Sequence, residues 1–212
     1  MTGRLPHSPR SDARENRARV LEAARAVFGA EGLDAPLREV ARHAGVGPAT
    51  LYRHFPTKRE LITAAFAEQR RACRTVVHEA LADTDPWRGF CALIERICEL
   101  HARSRGFADA FLSAFPEARD FAADRERTVR AIAELARRAQ ESGRLRPGFV
   151  VDDLVLMLLA HRGLQDTPAA ERLAASRRFA AYVIEAFRAA PEPQAPLPPA
   201  PHLTPAPPPP AR

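Results

Sequence analysis

The chain has 212 residues and a formal charge of +6; 46% of them are hydrophobic, and no run of them approaches the ~18 consecutive apolar residues of a membrane-spanning helix. Up to residue 70 there are 12 basic against 8 acidic side chains, so +4 of the +6 lies in the first third, where it suits a polyanion-binding front end. Three cysteines (Cys73, Cys91, Cys98) lack the C-x-x-C spacing of a metal or redox pair and read as buried apolar residues, with a thiol sensor as the alternative. An odd cysteine count without a secretory h-region argues for a reducing cytoplasm.

Alanine, leucine and arginine dominate and glycine is scarce, which favours helix throughout. Residues 1–11, with Pro6 and Pro9, read as a disordered basic arm in which Arg4 and Arg10 could touch a minor groove. A helix is expected from Asp12, with Val20, Ala24, Val27 and Phe28 on one face, ending at Gly32. Leu37, Val40 and Ala41 then form an apolar stripe at i, i+3, i+4, and Gly45 in Ala44-Gly45-Val46-Gly47 stops that helix at a sharp turn. Pro48 suits the first turn of a new helix, in which Leu51 and Phe55 face inward while Thr50, Tyr52, Arg53 and His54 point outward. Two short helices around a glycine turn, the second carrying polar and aromatic groups, are a way to place side chains in a DNA major groove.

Thr57 and Glu60 form a capping box, so the next helix opens near Lys58; the pattern carries it to about Ala82 as a lever shared between two domains. Pro86 starts another, with Phe90, Leu93, Ile94, Ile97 and Leu100 as its stripe. A short helix is expected over Phe107 to Phe115 and a longer one over Glu117 to Ser142, with Phe121, Val129, Ile132, Leu135 and Ala139 inward. Asp152 to Leu164 is the most apolar segment, and a last helix covers Ala169 to Ala189 with Leu173, Phe179, Tyr182, Val183, Ile184 and Phe187. Residues 191–212 are half proline and read as an extended, disordered tail.

Ala41-x-x-Ala44-Gly45-Val46, Thr50-Leu51-Tyr52-x-His54-Phe55 and Lys58-x-Glu60-Leu61 resemble the DNA-binding signature of TetR-type transcriptional regulators, over about residues 12 to 66. The resemblance implies an all-α homodimer. Residues 12–60 would be a three-helix helix-turn-helix DNA-binding domain, joined by a long helix to a ligand-binding and dimerisation domain over 61–190. It also implies that the last two helices, about 152–164 and 169–189, build a four-helix bundle with a second copy. In that frame Arg38 can clamp guanine O6 and N7 or touch a phosphate, and Thr50 can meet a thymine methyl or a phosphate. Tyr52 and His54 match phosphate-binding positions, and Lys58 at a helix start is a phosphate seat. Arg53 is read either as a base contact or as a solvated side chain. Gly47 and Pro36 depart from the family pattern, which favours hydroxyl residues there, and Pro48 and Ala49 offer only apolar contact.

The family responds to small ligands in its C-terminal helices. Plausible lining is Phe90, Leu93, Ile97, Phe107, Phe111, Phe115, Phe121 and Met157, with the isolated His101 and His161 as polar contacts; core packing is the competing reading for each. No serine, histidine and acid set, glycine-rich phosphate loop or metal-ligand cluster stands out, so no catalytic residues, cofactor or metal are expected. The expected function is a repressor that binds a near-palindromic operator and is released by a small-molecule effector of unknown identity. The alternative is a DNA-binding or architectural regulator without a ligand.

Overall fold

The computed structural model describes residues 9–104, 119–190 and 197–199, all of them helix or connecting turn apart from one isolated bridge between Leu145 and Arg188. In chain order the α-helices are α1 (Pro9–Glu31), α2 (Leu37–Ala44), α3 (Pro48–His54), α4 (Lys58–Ala65), α5 (Ala67–Ala82), α6 (Pro86–Ala102), α7 (Arg119–Glu141), α8 (Val151–His161) and α9 (Ala169–Phe187). A 3-10 turn, Arg162–Asp166, follows α8. The all-α expectation holds among these residues. The helix expected over Phe107 to Phe115 lies outside them, as does nearly all of the proline-rich tail.

The chain divides into two units, one ending at Glu68 and the other beginning at Gln69. In the first, α1 lies against α2, α3 and α4. Its inward stripe is the one the spacing implies: Val20, Ala24, Val27 and Phe28 are all buried, together with Val40 of α2, Leu51 of α3 and Leu61 of α4. α1 begins at Pro9, three residues ahead of the expected start at Asp12, because proline is well suited to a first helical turn.

In the second unit α6 is the central element and packs against α7 and α9. Its start is specified locally, since the Asp85 carboxylate accepts hydrogen bonds from the Trp87 and Arg88 amides at 3.0 and 3.1 Å, with Pro86 at the first helical position. Gly89 permits a close approach to the end of α5: a Cβ there would sit 2.3 Å from the Ala80 carbonyl oxygen. The core joins Val76 and Val77 of α5, Leu93 and Ile94 of α6, Leu135 of α7, Leu158 of α8 and Ile184 of α9. Arg138 of α7 donates to the Leu81 and Asp83 carbonyls at 2.7 and 3.1 Å, satisfying the open end of α5.

Three expectations are corrected. The single lever helix from Lys58 to Ala82 is two helices, broken at Phe66 (φ −101°, ψ 16°), whose ring is buried at the junction. No glycine or proline marks the break, so nothing in the local pattern announces it. The apolar segment Asp152 to Leu164 is not one helix either: it tightens to a 3-10 turn at Arg162, next to Gly163. Val129, expected inward on α7, is 41% exposed.

Candidate nucleic-acid interface

The α2–α3 turn is built by its glycine. Gly45 sits at φ 63°, ψ 34°, the left-handed conformation that closes helices. The Gly45 and Val46 amides donate to the Arg42 and Ala41 carbonyls at 3.2 and 3.1 Å, so two otherwise orphaned carbonyls of α2 are satisfied within the turn. Gly47 then caps α3 through its backbone alone, with Pro48 at the first helical position and the Thr50 and Leu51 amides reaching the Gly47 carbonyl at 3.0 and 3.2 Å. Neither Pro36 nor Gly47 makes a side-chain cap, so the two hydroxyls missing from the sequence leave both helix starts open.

α3 is held by two anchors and exposes the rest. Leu51 is fully buried and Phe55 is buried, while Tyr52 is 51% exposed and Pro48, Ala49 and Arg53 are exposed; Thr50 and His54 are half-buried. Arg17 of α1 lies 5.0 Å over the Phe55 ring, so the anchor also carries a cation on its outer face. At the front of α2, Arg38 is exposed. One turn on, Arg42 pairs with Glu39 at 2.9 Å, and this hydrogen bond holds the Glu39 carboxyl below its ordinary range, so the acid stays ionised but matched.

Lys58 opens α4 as expected. The Thr57 hydroxyl accepts the Glu60 amide at 3.1 Å and donates to the Glu60 carboxylate at 3.0 Å. The half-buried Lys58 ammonium lies 5.9 Å from the centre of the Phe28 ring, and burial lowers its pKa, with Asp34 pulling the other way. The first unit thus gathers Arg38, Thr50, Tyr52, Arg53, His54 and Lys58 on three consecutive short helices with Pro48 and Ala49 beside them.

The residues expected to line a ligand site behave less uniformly. Phe90 is buried among rings, 5.9 Å from Trp87, 5.1 Å from Phe149 and 6.3 Å from Phe187. Leu93, Ile97 and Met157 are buried in the same core. Phe107, Phe111 and Phe115 lie outside the described residues, as does the side chain of Phe121. A groove of about 250 Å³ between α5 and α6 is lined by Ala72, Thr75, Val76, Arg96, Glu99, Leu100 and Arg103, none of them among the expected set.

The two histidines are not isolated. His101 at the end of α6 and His161 at the end of α8 are both fully buried, with ring centres 6.3 Å apart. Ser176 of α9 bonds the His161 Nε2 at 2.8 Å, and Gln165 donates to the His101 carbonyl at 2.6 Å. Ser176 and Gln165 escaped the sequence reading, although a serine one turn before Phe179 and Ala180, on the buried stripe of α9, was a visible signal. Burial pushes the Cys73 and Cys98 thiols up to about 12 and that of the half-buried Cys91 to about 11, so none is a thiolate near neutrality.

Residues 20–65 match the family model of bacterial regulatory proteins of the tetR family, and residues 85–185 match that of the SbtR-like transcriptional regulator C-terminal domain. A stretch of 53 residues, 24% of this chain, is 43% identical to an HTH-type transcriptional regulator of Staphylococcus aureus; the chain spans only 29% of that protein's length. A solved TetR transcriptional regulator of Streptomyces coelicolor is 30% identical, with a TM-score of 0.51 over 82% of this chain and 98% of that one. A ketosteroid transcriptional regulator of Mycobacterium tuberculosis shares the fold, with a TM-score of 0.58 at 18% identity over 81% and 94% of the two chains. With the signature helices at its front and a near-complete relative at 30% identity, the chain belongs to the TetR family of transcriptional regulators.

Proposed function

We propose that this regulator is a homodimeric repressor that holds two α3 helices in successive major grooves of a near-palindromic operator, and that a small molecule bound in its helical unit releases it. The observation that carries this reading is the division of α3: Leu51 and Phe55 are buried while Tyr52 and Arg53 stand in solvent. A seven-residue helix, Pro48–His54, is too short to be stable alone. Its exposed polar side is accessible to a partner, and the basic excess of the first third favours a polyanion.

In this reading Arg38 and Arg53 reach base edges, Pro48, Ala49 and Thr50 meet thymine methyls or the nearby backbone, and Tyr52, His54 and Lys58 hold phosphates. α8 and α9 supply the dimer contact. Leu156 is 49% exposed and Tyr182 59% exposed, large apolar surfaces of the kind a second chain covers. No helix among the described residues is long and apolar enough to cross a membrane. In this reading the protein acts on DNA in the cytoplasm. The test is footprinting of DNA flanking the protein's own gene, with sedimentation of the free protein. A protected near-palindrome and a dimer are expected; a monomer indifferent to duplex DNA at low salt would end the proposal.

A further inference from the structure

Among the described residues, the buried polar side chains are His101, His161, Gln165 and Ser176, and they meet in one place although they come from four elements and span 76 positions, from 101 to 176. We propose that this cluster is the hydrogen-bonding end of the small-molecule site and that it takes an uncharged ligand bearing a hydroxyl or carbonyl group. The assignment rests on reading the helical unit as ligand-responsive.

Two atoms in the cluster ask for a partner. His161 Nδ1 and Gln165 Oε1 are buried and have no hydrogen-bond partner among the described residues. The Gln165 amide orientation is settled by its neighbour: only the nitrogen can donate to the His101 carbonyl at 2.6 Å, so the oxygen is left as an open acceptor. Ser176 occupies the Nε2 side of His161, so its other nitrogen is left to serve as donor or acceptor according to tautomer. Buried polar atoms without partners are costly, and native structures meet them with water or ligand. A hydroxyl can donate to Gln165 Oε1 or pair with His161 Nδ1.

Charge is what the cluster lacks. Among the described residues, no carboxylate or cation belongs to the buried side chains, and burial keeps both imidazoles neutral near pH 7. The ion pair adjoining it in sequence, Arg177 with Glu99 at 2.8 Å, is partly in solvent and already matched. An ionised ligand would surrender its hydration without a counter-charge, so the site discriminates against it. The apolar wall is set by Phe179, whose ring centre lies 5.5 Å from that of His161. A ligand here would also compete at the 3-10 turn carrying Gln165, which ties the ends of α6 and α8 together.

The experiment uses the full-length protein and three probes of one skeleton: 2-phenylethanol, phenylacetate and phenethylammonium. A fragment of this size should bind with a Kd on the order of a millimolar. At about 10 mM the alcohol should raise Tm by roughly 4 °C and shift the imidazole 15N resonances of His101 and His161, while the two ions do neither. Ser176→Ala and Gln165→Leu, milder than His161→Leu and expected to remain folded, should each lose most of the response. Equal or stronger binding of an ionised probe, a Tm response that survives both substitutions, or silent imidazole resonances with all three probes would overturn the assignment. Release from DNA is scored separately. Binding at the cluster without release leaves the assignment standing and refutes the ligand-released repressor. Release by a compound that leaves the imidazoles unmoved does the reverse.

Discussion

The two glycines of the α2–α3 turn, Gly45 and Gly47, should respond to substitution with opposite signs. Gly45 has φ 63°, and a Cβ built there comes no closer than 3.9 Å to anything but its immediate neighbours, Arg19 being the nearest group. The cost of Gly45→Ala is therefore backbone strain alone, about 1–2 kcal/mol for an L-residue in the left-handed region. Gly47 has φ −69° and ψ 151°, ordinary for any residue, and a Cβ there meets nothing within 4 Å. Gly47→Ser adds a hydroxyl cap to an uncapped helix and narrows the unfolded ensemble, together worth roughly 1 kcal/mol of stabilisation. Native-state hydrogen exchange separates the two effects at the site. The Val46 amide, bonded to the Ala41 carbonyl at 3.1 Å, should exchange roughly 5- to 30-fold faster in Gly45→Ala. In Gly47→Ser the Leu51 and Phe55 amides should exchange more slowly, with a higher urea midpoint by circular dichroism. Effects of the same sign at both positions, or a neutral Gly45→Ala, would refute the reasoning that φ rather than space decides this turn.

Arg38→Ala and Tyr52→Ala remove exposed side chains, so each should change stability by less than about 0.5 kcal/mol. Both should weaken operator binding in titrations, but only Arg38→Ala should also relax base preference, by about 1–3 kcal/mol at one position; equal loss on operator and random duplex would show that Arg38 touches phosphate alone. Leu156→Asp or Tyr182→Arg should convert the proposed dimer to monomer in sedimentation without lowering helicity, since the two side chains are 49% and 59% exposed in the single chain; an unchanged dimer would place the interface elsewhere. Burial, with His161 second, holds the His101 pKa near 3 against an ordinary 6.5. The unfolded chain therefore binds the proton that the folded chain refuses. Stability complete above about pH 6.5 should fall as the pH drops towards 3, by at most about 1.4 kcal/mol per pH unit for each such histidine. Urea melts at pH 7 and pH 5 should show this loss in the native protein and less of it in His101→Phe; an identical pH dependence in the two would place the titrating groups elsewhere.

Helices and their ends were legible because the signals are local. A stripe at i, i+3, i+4, a glycine that can take positive φ at residue 45, a proline at 48 or 86 and a Thr57–Glu60 box each act within one turn, and each element they mark starts or stops where they stand. The DNA-reading element was legible for the same reason, since it is 18 residues of continuous chain from Leu37 to His54 with its anchors and exposed groups in alternation. Tertiary packing decided the rest. The break at Phe66 accompanies a ring buried at the junction, not a helix breaker in the chain, and the exposure of Val129 and Tyr182 depends on which neighbours α7 and α9 find. His101 and His161 look solitary in sequence because 60 positions separate them, and no periodicity within a helix reports on a partner in another. Only the meeting of the ends of α6 and α8 brings the two rings to 6.3 Å and closes Gln165 and Ser176 around them. Local backbone preference decides where each helix begins and ends, whereas the company a buried polar group keeps follows from how the helices stack.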